Sequence, residues 1–275
     1  MGRCLVGTVA LAIALGATLA AAPAQDGSKY PDLKGQWVRA DSSPVAPWDP
    51  SKPAGLGQQA PLTAEYQVLF EAALARRAEG VNPTPCIPPG MPRAMIAYEP
   101  MEIIVMADTT YIVLTYMSEF RRIFTDGRNF TDDIEPSYAG YSIGRWEDTD
   151  GDGRFDTLVI ETRGLKGPRT FDESGIPLHQ DNLTVVKERI RLDRSNPDLL
   201  HDEITTIDNA LTGPWTVTRS YRRAHHAEWD EHLCAENHRY VTLGSETYAI
   251  GDDGNLAPIR KDQPPPDLRY FQNRR

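Results

Sequence analysis

The chain lacks an excess of positive charge: of its 275 residues, 29 are Lys or Arg and 39 are Asp or Glu, giving a net charge of −10. Nucleic acids and anionic lipid surfaces both favour proteins with a basic face. The composition therefore argues against nucleic acid as a partner. Beyond its first residues the chain also has no apolar run close to the roughly 20 residues that a membrane-spanning helix needs, so no membrane span is expected.

Most motifs that identify common enzyme classes are missing as well. The sequence contains no S-x-x-K or H-E-x-x-H pattern and no phosphate-binding glycine loop. A G-x-S-x-G match occurs at residues 140–144, but it lies within a predicted strand rather than at the strand-to-helix turn of a hydrolase nucleophile. Four histidines crowd residues 225–238, but without the spacing of a zinc site. We expect no organic cofactor.

The first 24 residues have the pattern of a signal peptide. Arg3 precedes an apolar run from Cys4 to Ala22, and an A-x-A cleavage site ends at Ala24. A membrane anchor is the competing interpretation, but Gly7 and Gly16 interrupt the run. The pattern predicts a mature chain that begins near residue 25 and is periplasmic or secreted.

Cysteine is scarce. Of the three cysteines, Cys86 and Cys234 would remain after cleavage. An exported protein with one pair of cysteines is the simplest case for a disulfide. The alternative is two buried free thiols.

Residues 141–162 contain an acidic loop between two apolar strands. Its acids follow the pattern D-x-D-x-D-G-x-x-D, with Asp148, Asp150, Asp152 and Asp156 as candidate ligands. Ca²⁺ takes six to eight oxygen ligands, which such a turn can supply. The helix-loop-helix form needs an acid at the twelfth position, where this chain has Val159, so the loop instead resembles the calcium hairpins of integrin-type β-propeller repeats. We predict structural calcium; the alternative is an acidic turn without metal.

Hydrophobic periodicity predicts an all-β fold with one short helix. A G-x-W strand, a helix over 63–79 and a proline-rich loop make up an N-terminal extension over residues 25–100. Strands are predicted at 101–107, 110–117 continuing to 125, 141–148, 155–162, 183–192, 199–208 and 215–224. Six or seven strands in series favour an antiparallel meander, and closing it removes exposed edges. We therefore expect a lipocalin-like β-barrel over 101–240, rather than a sandwich, followed by a tail over 241–275.

Alternation along these strands places charges on the apolar faces, which should point into the barrel. The four residues are Arg122, Arg145, Glu188 and Arg219. A buried charge must pair or face a ligand, because leaving it unpaired costs several kcal/mol. One interpretation is a Glu188–Arg219 ion-pair network in a filled barrel, and the other is a polar pocket in which Glu188 acts as acid or base. A slip of one residue would turn all four outward.

A long connection over residues 163–182 should lie at the mouth of the barrel. Long ordered loops often carry function, and this one contains His179, a residue type that often moves protons in catalysis. His179 is therefore a second candidate for proton transfer, although a loop histidine is more often simply solvated.

Four segments together resemble a large family of exported, mostly uncharacterised bacterial β-rich proteins. They are PPGMPR at 88–93, RRIFTDGR at 121–128, GYSIGRWE at 140–147 and DTLVIET at 156–162. The resemblance covers roughly residues 30–240 and implies a secreted or periplasmic β-rich domain without one established activity. Cys86, Cys234 and a histidine near 179 fit the family pattern, whereas the acidic insertion does not, so calcium would be particular to this protein.

We expect a barrel that binds a small, partly aromatic and anionic molecule. Lyase or isomerase chemistry would suit it, with Glu188 or His179 moving a proton and Arg122, Arg145 or Arg219 stabilising negative charge. The alternative is a non-catalytic structural or interaction domain of the cell envelope with a calcium-stabilised hairpin.

Overall fold

The structure is a computed structural model that describes residues 29–40, 60–78, 88–96, 99–167, 169–171, 175–226, 228–229, 240–243, 246–251 and 253–266. The predicted signal peptide and the predicted Cys86–Cys234 pair lie outside these residues, as do His232 and His238.

Two helices and twelve strands occur in the described part of the chain. The helices are α1 (Ala64–Ala78) and α2 (Arg93–Ile96). The strands are β1 (Gln36–Arg39), β2 (Met101–Val105), β3 (Thr109–Leu114), β4 (Phe120–Phe124), β5 (Tyr141–Glu147), β6 (Thr157–Arg163), β7 (Val185–Leu192), β8 (Leu199–Ile207), β9 (Trp215–Ala224), β10 (Tyr240–Leu243), β11 (Glu246–Ile250) and β12 (Leu256–Pro258).

Strands β1 to β9 form a closed barrel in sequence order, with β1 completing the circle between β2 and β9. This confirms the predicted all-β barrel. Every neighbouring pair is antiparallel except β4 and β5, which are parallel, so the expectation of a wholly antiparallel meander is wrong. Parallel neighbours need a crossover connection of a dozen or more residues, and residues 125–140 provide it.

Strands also occur in the two segments that were expected to flank the barrel, the N-terminal extension and the C-terminal tail. The G-x-W strand, expected in an N-terminal extension, is β1 of the barrel, and its Trp37 is fully buried with the indole N–H donating to the Leu33 carbonyl at 3.0 Å. The expected C-terminal tail contains β11 and β12, which form a separate three-stranded sheet with β10.

The barrel interior follows the two-residue period of its strands. On β7, Val186, Glu188 and Ile190 are buried, whereas Lys187 and Arg189 between them are exposed. Strands β8 and β9 alternate in the same way. Successive side chains of a strand point to opposite faces, so every second residue of these strands fills the interior.

A tight turn separates β3 from β4, which had been predicted as one continuous strand over 110–125. It contains a short 3-10 segment, Tyr116–Ser118, in which Met117 and Ser118 have φ of 58° and 50°. The turn changes which residues face inward: Ile112 and Leu114 are buried on β3, and Arg121 and Ile123 are buried on β4. Even-numbered residues thus face inward before the turn and odd-numbered residues after it.

The β4–β5 pairing is short, with only Ile123 opposite Ser142 and Phe124 opposite Ile143. A glycine at position 144 permits this approach, because a Cβ there would lie 2.7 Å from the Ile123 side chain and 3.2 Å from the Val159 carbonyl. We call this two-pair contact the β4–β5 seam. Outside these two residue pairs, β4 and β5 do not pair with each other.

None of the helices in the described ranges is both long and apolar enough to cross a membrane.

Candidate functional site

A cavity of about 510 Å³ lies where β4 and β5 separate. Ligand pockets in proteins typically measure about 300–1,000 Å³. Its wall contains the aromatic residues Phe120, Phe124 and Tyr141 and the polar residues Glu119, Arg121 and Ser142. We call it the seam cavity. Phe120 is 61% exposed, so an apolar ring stands open to solvent beside a polar wall.

Glu119 is the least satisfied polar group in this wall. Only 8% of the residue is exposed, and neither carboxylate oxygen has a hydrogen-bond partner. Burial raises the pKa of the Glu119 carboxyl above its usual value; the charge of Arg121 and the nearby Gly90 N–H, which makes no well-aligned hydrogen bond to it, lower the pKa by less. A carboxyl in this setting favours its protonated form and can donate a hydrogen bond or a proton.

The turn that presents Glu119 is conformationally costly. Left-handed backbone costs a non-glycine residue roughly 1–2 kcal/mol, and Met117 and Ser118 both adopt it in succession. Both residues also line the seam cavity. Strained backbone of this kind clusters at ligand and active sites.

Arg121 extends from the cavity wall into the barrel interior, where it meets Glu188. Its guanidinium donates two hydrogen bonds to the Glu188 carboxylate, at 3.0 and 2.7 Å, and both side chains are at most 1% exposed. Burial alone would lower the pKa of Arg121, but the charge and hydrogen bonds of Glu188 outweigh it and raise that pKa. The Nε–H of Arg121 donates to no other group.

Asp202 and Arg219 lie behind this pair, opposite each other on β8 and β9. Both are fully buried. Burial, together with the like charge of Glu188, raises the pKa of Asp202 well above its usual value, against the charges of Arg121 and Arg219. Its oxygens accept no hydrogen bond, and only the protonated form of the Asp202 carboxyl can donate a hydrogen bond to Glu188.

Two hydroxyl groups connect the seam cavity with this interior network. Ser142, in the cavity wall, lies 2.8 Å from the hydroxyl of Thr162. Thr162 in turn accepts a hydrogen bond from Arg121 at 3.5 Å. The polar wall of the cavity is therefore continuous with the buried charges.

The sequence-predicted residues Glu188 and Arg219 do point into the barrel, as expected. The bidentate partner of Glu188, however, is Arg121. Strand alternation with Arg122 inward would put Arg121 on the outer face. Glu188 and Arg219 are 1% and 0% exposed, which agrees with the filled-barrel interpretation at their positions.

The prediction that Arg122 points inward is wrong. It is exposed on the outer face of β4, with its guanidinium over the Tyr111 ring at 5.3 Å. The error comes from the β3–β4 turn, which reverses the phase of alternation. Arg122 nevertheless lines the seam cavity from its outer side.

The prediction that Arg145 points inward is wrong as well. Its side chain is 70% exposed and forms an ion pair with Glu147 at 2.7 Å. The apolar face of β5 on which it was placed is the outer face, where Tyr141 packs against Phe124 with ring centroids 5.1 Å apart. The inward residues of β5 are Ser142, Gly144 and Trp146.

His179 lies at the end of the barrel near the start of β7. Its ring packs beside Tyr66 of α1, with centroids 5.5 Å apart, and its Nδ1 is 3.0 Å from the Asp181 carboxylate. Its backbone N–H donates to Asp208, which also accepts from Thr184. Glu188 is four residues beyond Thr184, or about 13 Å along a strand that rises about 3.3 Å per residue. The structure thus places the two predicted proton-transfer residues apart.

The acidic loop brings three of its four candidate ligands together. Carboxylate oxygens of Asp148, Asp150 and Asp156 lie within 4.8 Å of one another. The fourth, Asp152, has an oxygen that accepts the Arg154 N–H at 2.8 Å. The three grouped carboxylates are the hard oxygen ligands that Ca²⁺ prefers, so they fit the predicted ion in type, although three side chains fall short of its usual six to eight ligands.

Three residues of the site were missed from the sequence: Glu119, Arg121 and Asp202. Asp202 does alternate with Leu200 and Ile204, so the period of β8 could have revealed it.

A comparison of the sequence with protein-family models and with curated proteins found no match to either.

Proposed function

We propose that this protein is an exported barrel that binds a small, partly aromatic molecule in the seam cavity. The observation that carries the proposal is the buried Glu119 carboxyl, unpartnered in the wall of a ligand-sized cavity. Apolar cavities with a few convergent polar groups are the usual form of a small-molecule site. The aromatic rings of Phe120, Phe124 and Tyr141 supply the apolar part.

The chemistry that suits this site is proton transfer, as in an isomerase or a lyase. Glu119 is the acid, because burial favours its protonated form, whereas both oxygens of Glu188 are held by Arg121. In an isomerisation, Glu119 gives its proton to one atom of the bound molecule and regains a proton from another, so the protein is unchanged after each cycle. Arg121 stabilises the carboxylate that Glu119 becomes between these two steps.

A non-catalytic envelope domain is the second candidate function. The fully buried Arg121–Glu188 pair supports it, since such pairs also serve as purely structural elements of a core. The two candidates differ in one respect: only the first requires the seam cavity to be filled by a ligand.

The test is a thermal-shift screen of anionic, neutral and cationic aromatic compounds on two forms of the protein. The first is the wild type, and the second is Ala139→Trp, which places an indole in the cavity wall. A matched control, Ala257→Trp, adds the same side chain at an exposed position of β12. We expect at least one compound to stabilise the wild type and the control but not Ala139→Trp. If no compound does so, the ligand-binding function is wrong and the structural role is favoured.

A further inference from the structure

The polar wall of the seam cavity contains side-chain groups that have no hydrogen-bond partner in the protein. Arg121 has an Nε–H that bonds to nothing in the protein. A protonated Glu119 offers an O–H within the electrostatic range of that guanidinium. Glu119 has extended backbone (φ −85°, ψ 146°) and lies two residues before Arg121, so the two side chains leave the chain on the same side. Unpartnered donors grouped in one buried wall are the arrangement that proteins use to hold an oxyanion.

The rim of the cavity favours negative charge too. Arg122 lines the cavity, and it forms no ion pair with any residue that the structure describes. Its guanidinium lies 5.9 Å from the Phe124 ring. The guanidinium of Arg128, which is paired with Asp126 at 2.5 Å, lies over the same ring at 3.7 Å. The aromatic face that would hold an organic cation therefore already carries two cations.

We propose that the ligand is a monoanionic aromatic or conjugated carboxylate, whose carboxylate sits between Glu119 and the Nε–H of Arg121 and whose ring lies against Phe120 and Tyr141. This inference rests on the proposed function and specifies its ligand. It predicts that binding depends on pH in a way that charge attraction alone would not produce. Glu119 must carry a proton when the anion is bound, so binding takes up a proton wherever the free site has lost it.

Several other groups around Glu119 bear on this linkage. Arg121 and Arg122 line the same cavity and both favour the bound anion, whereas the charge of Asp126 is taken up by Arg128. Glu188 and Asp202 stand behind Arg121, and burial together with the charge of Glu188 raises the pKa of Asp202. Tyr141 is the remaining titratable group of the wall, and its hydroxyl accepts a hydrogen bond from Arg128 at 3.0 Å.

The experiment uses benzoate as the probe, with benzamide as its neutral counterpart and benzylamine as its cationic one. Affinities are measured by calorimetry on the full chain from pH 5 to pH 9, in two buffers with different ionisation enthalpies. We expect benzoate to bind more tightly than benzamide or benzylamine. Above the pKa of Glu119 its affinity should fall up to tenfold per pH unit, with uptake of up to one proton per molecule bound.

The variant Glu119→Gln distinguishes the effect of proton uptake at this position from the effect of the shape of the site. The amide can donate a hydrogen bond but cannot take up a proton, so this variant should bind benzoate with an affinity independent of pH. Arg145→Ala, which removes an exposed charge away from the cavity, should keep the wild-type pH dependence. If the wild type binds benzoate with no pH dependence, or prefers benzamide or benzylamine, the carboxylate inference is wrong while the cavity still binds ligand. If no compound of the wider screen discriminates the wild type from Ala139→Trp, the proposed function itself fails.

Discussion

Glu188 on β7 and Arg121 on β4 form a two-hydrogen-bond ion pair inside the barrel, with neither side chain more than 1% exposed. Removing one member of such a pair leaves the other as an uncompensated buried charge, which costs about 3–5 kcal/mol. We therefore expect Glu188→Gln to lower the free energy of unfolding by about that amount in urea denaturation. Removing both charges together, in Arg121→Met with Glu188→Leu, should cost clearly less than the sum of the single changes.

The control for this pair is Arg145→Ala. Its partner Glu147 is a carboxylate as well, but the Arg145 side chain is 70% exposed, and exposed pairs contribute about 0–1 kcal/mol. A loss for Glu188→Gln as small as the loss for Arg145→Ala would contradict the buried-pair assignment.

Glu119 should make stability depend on pH. Its pKa is raised in the folded protein, so the folded state holds the proton more firmly than the unfolded state. The stabilisation is complete below the usual pKa of 4.5 and is lost as pH rises through the folded-state value, with a slope of at most about 1.4 kcal/mol per pH unit. Glu119→Gln should remove this part of the decline in unfolding free energy between pH 4 and pH 8.

Glu203→Gln is the matched comparison, because Glu203 is exposed on the outer face of β8. It should leave the pH profile of the wild type unchanged. Identical profiles for Glu119→Gln and Glu203→Gln would show that Glu119 is not in the environment described above.

Gly144 should tolerate no side chain. A Cβ at this position meets both the Ile123 side chain and the Val159 carbonyl, and overpacking of this kind costs about 1–3 kcal/mol. Gly144→Ala should lower the unfolding free energy by that amount. Gly213→Ala, where a Cβ meets nothing within 4 Å, should not lower it; equal effects of the two substitutions would rule out close packing at the β4–β5 seam.

The acidic loop should respond to calcium. If Asp148, Asp150 and Asp156 bind the ion, then calcium at 100 times its dissociation constant raises the unfolding free energy by about 2.7 kcal/mol. EGTA should reverse this increase, and Asp150→Asn should weaken it. Asp132→Asn, at an exposed position outside the cluster, should retain the full response. A melting temperature insensitive to both calcium and EGTA would favour the metal-free acidic turn.

Most of the barrel could be predicted from the sequence because its strands have one buried and one exposed face. The bounds of β9 are as expected, and those of β7 and β8 differ by at most two residues. Their inward charges, Glu188 and Arg219, follow from the same alternation. Local patterns of this type depend only on neighbours along the strand.

The site was harder to predict because its residues depend on features without a period. Arg121 faces inward only because the chain reverses at Met117 and Ser118, neither of which is a typical residue for left-handed backbone. Glu119 belongs to that turn rather than to a strand, so no alternation assigns it to a face. Arg145 was misplaced because β5 has apolar side chains on its outer face, where Tyr141 and Phe124 cover each other.

The position of β1 between β2 and β9 has a consequence for how the chain folds. Gln36 pairs with Ala224 across almost the entire barrel sequence, and contacts between residues so distant in sequence form slowly, because a long loop must close first. A chain that ends before β9 leaves the edges of β1 and β8 unpaired, and such edges invite pairing with other chains. Truncated or incompletely synthesised copies of this protein should therefore associate with one another rather than form stable partial barrels.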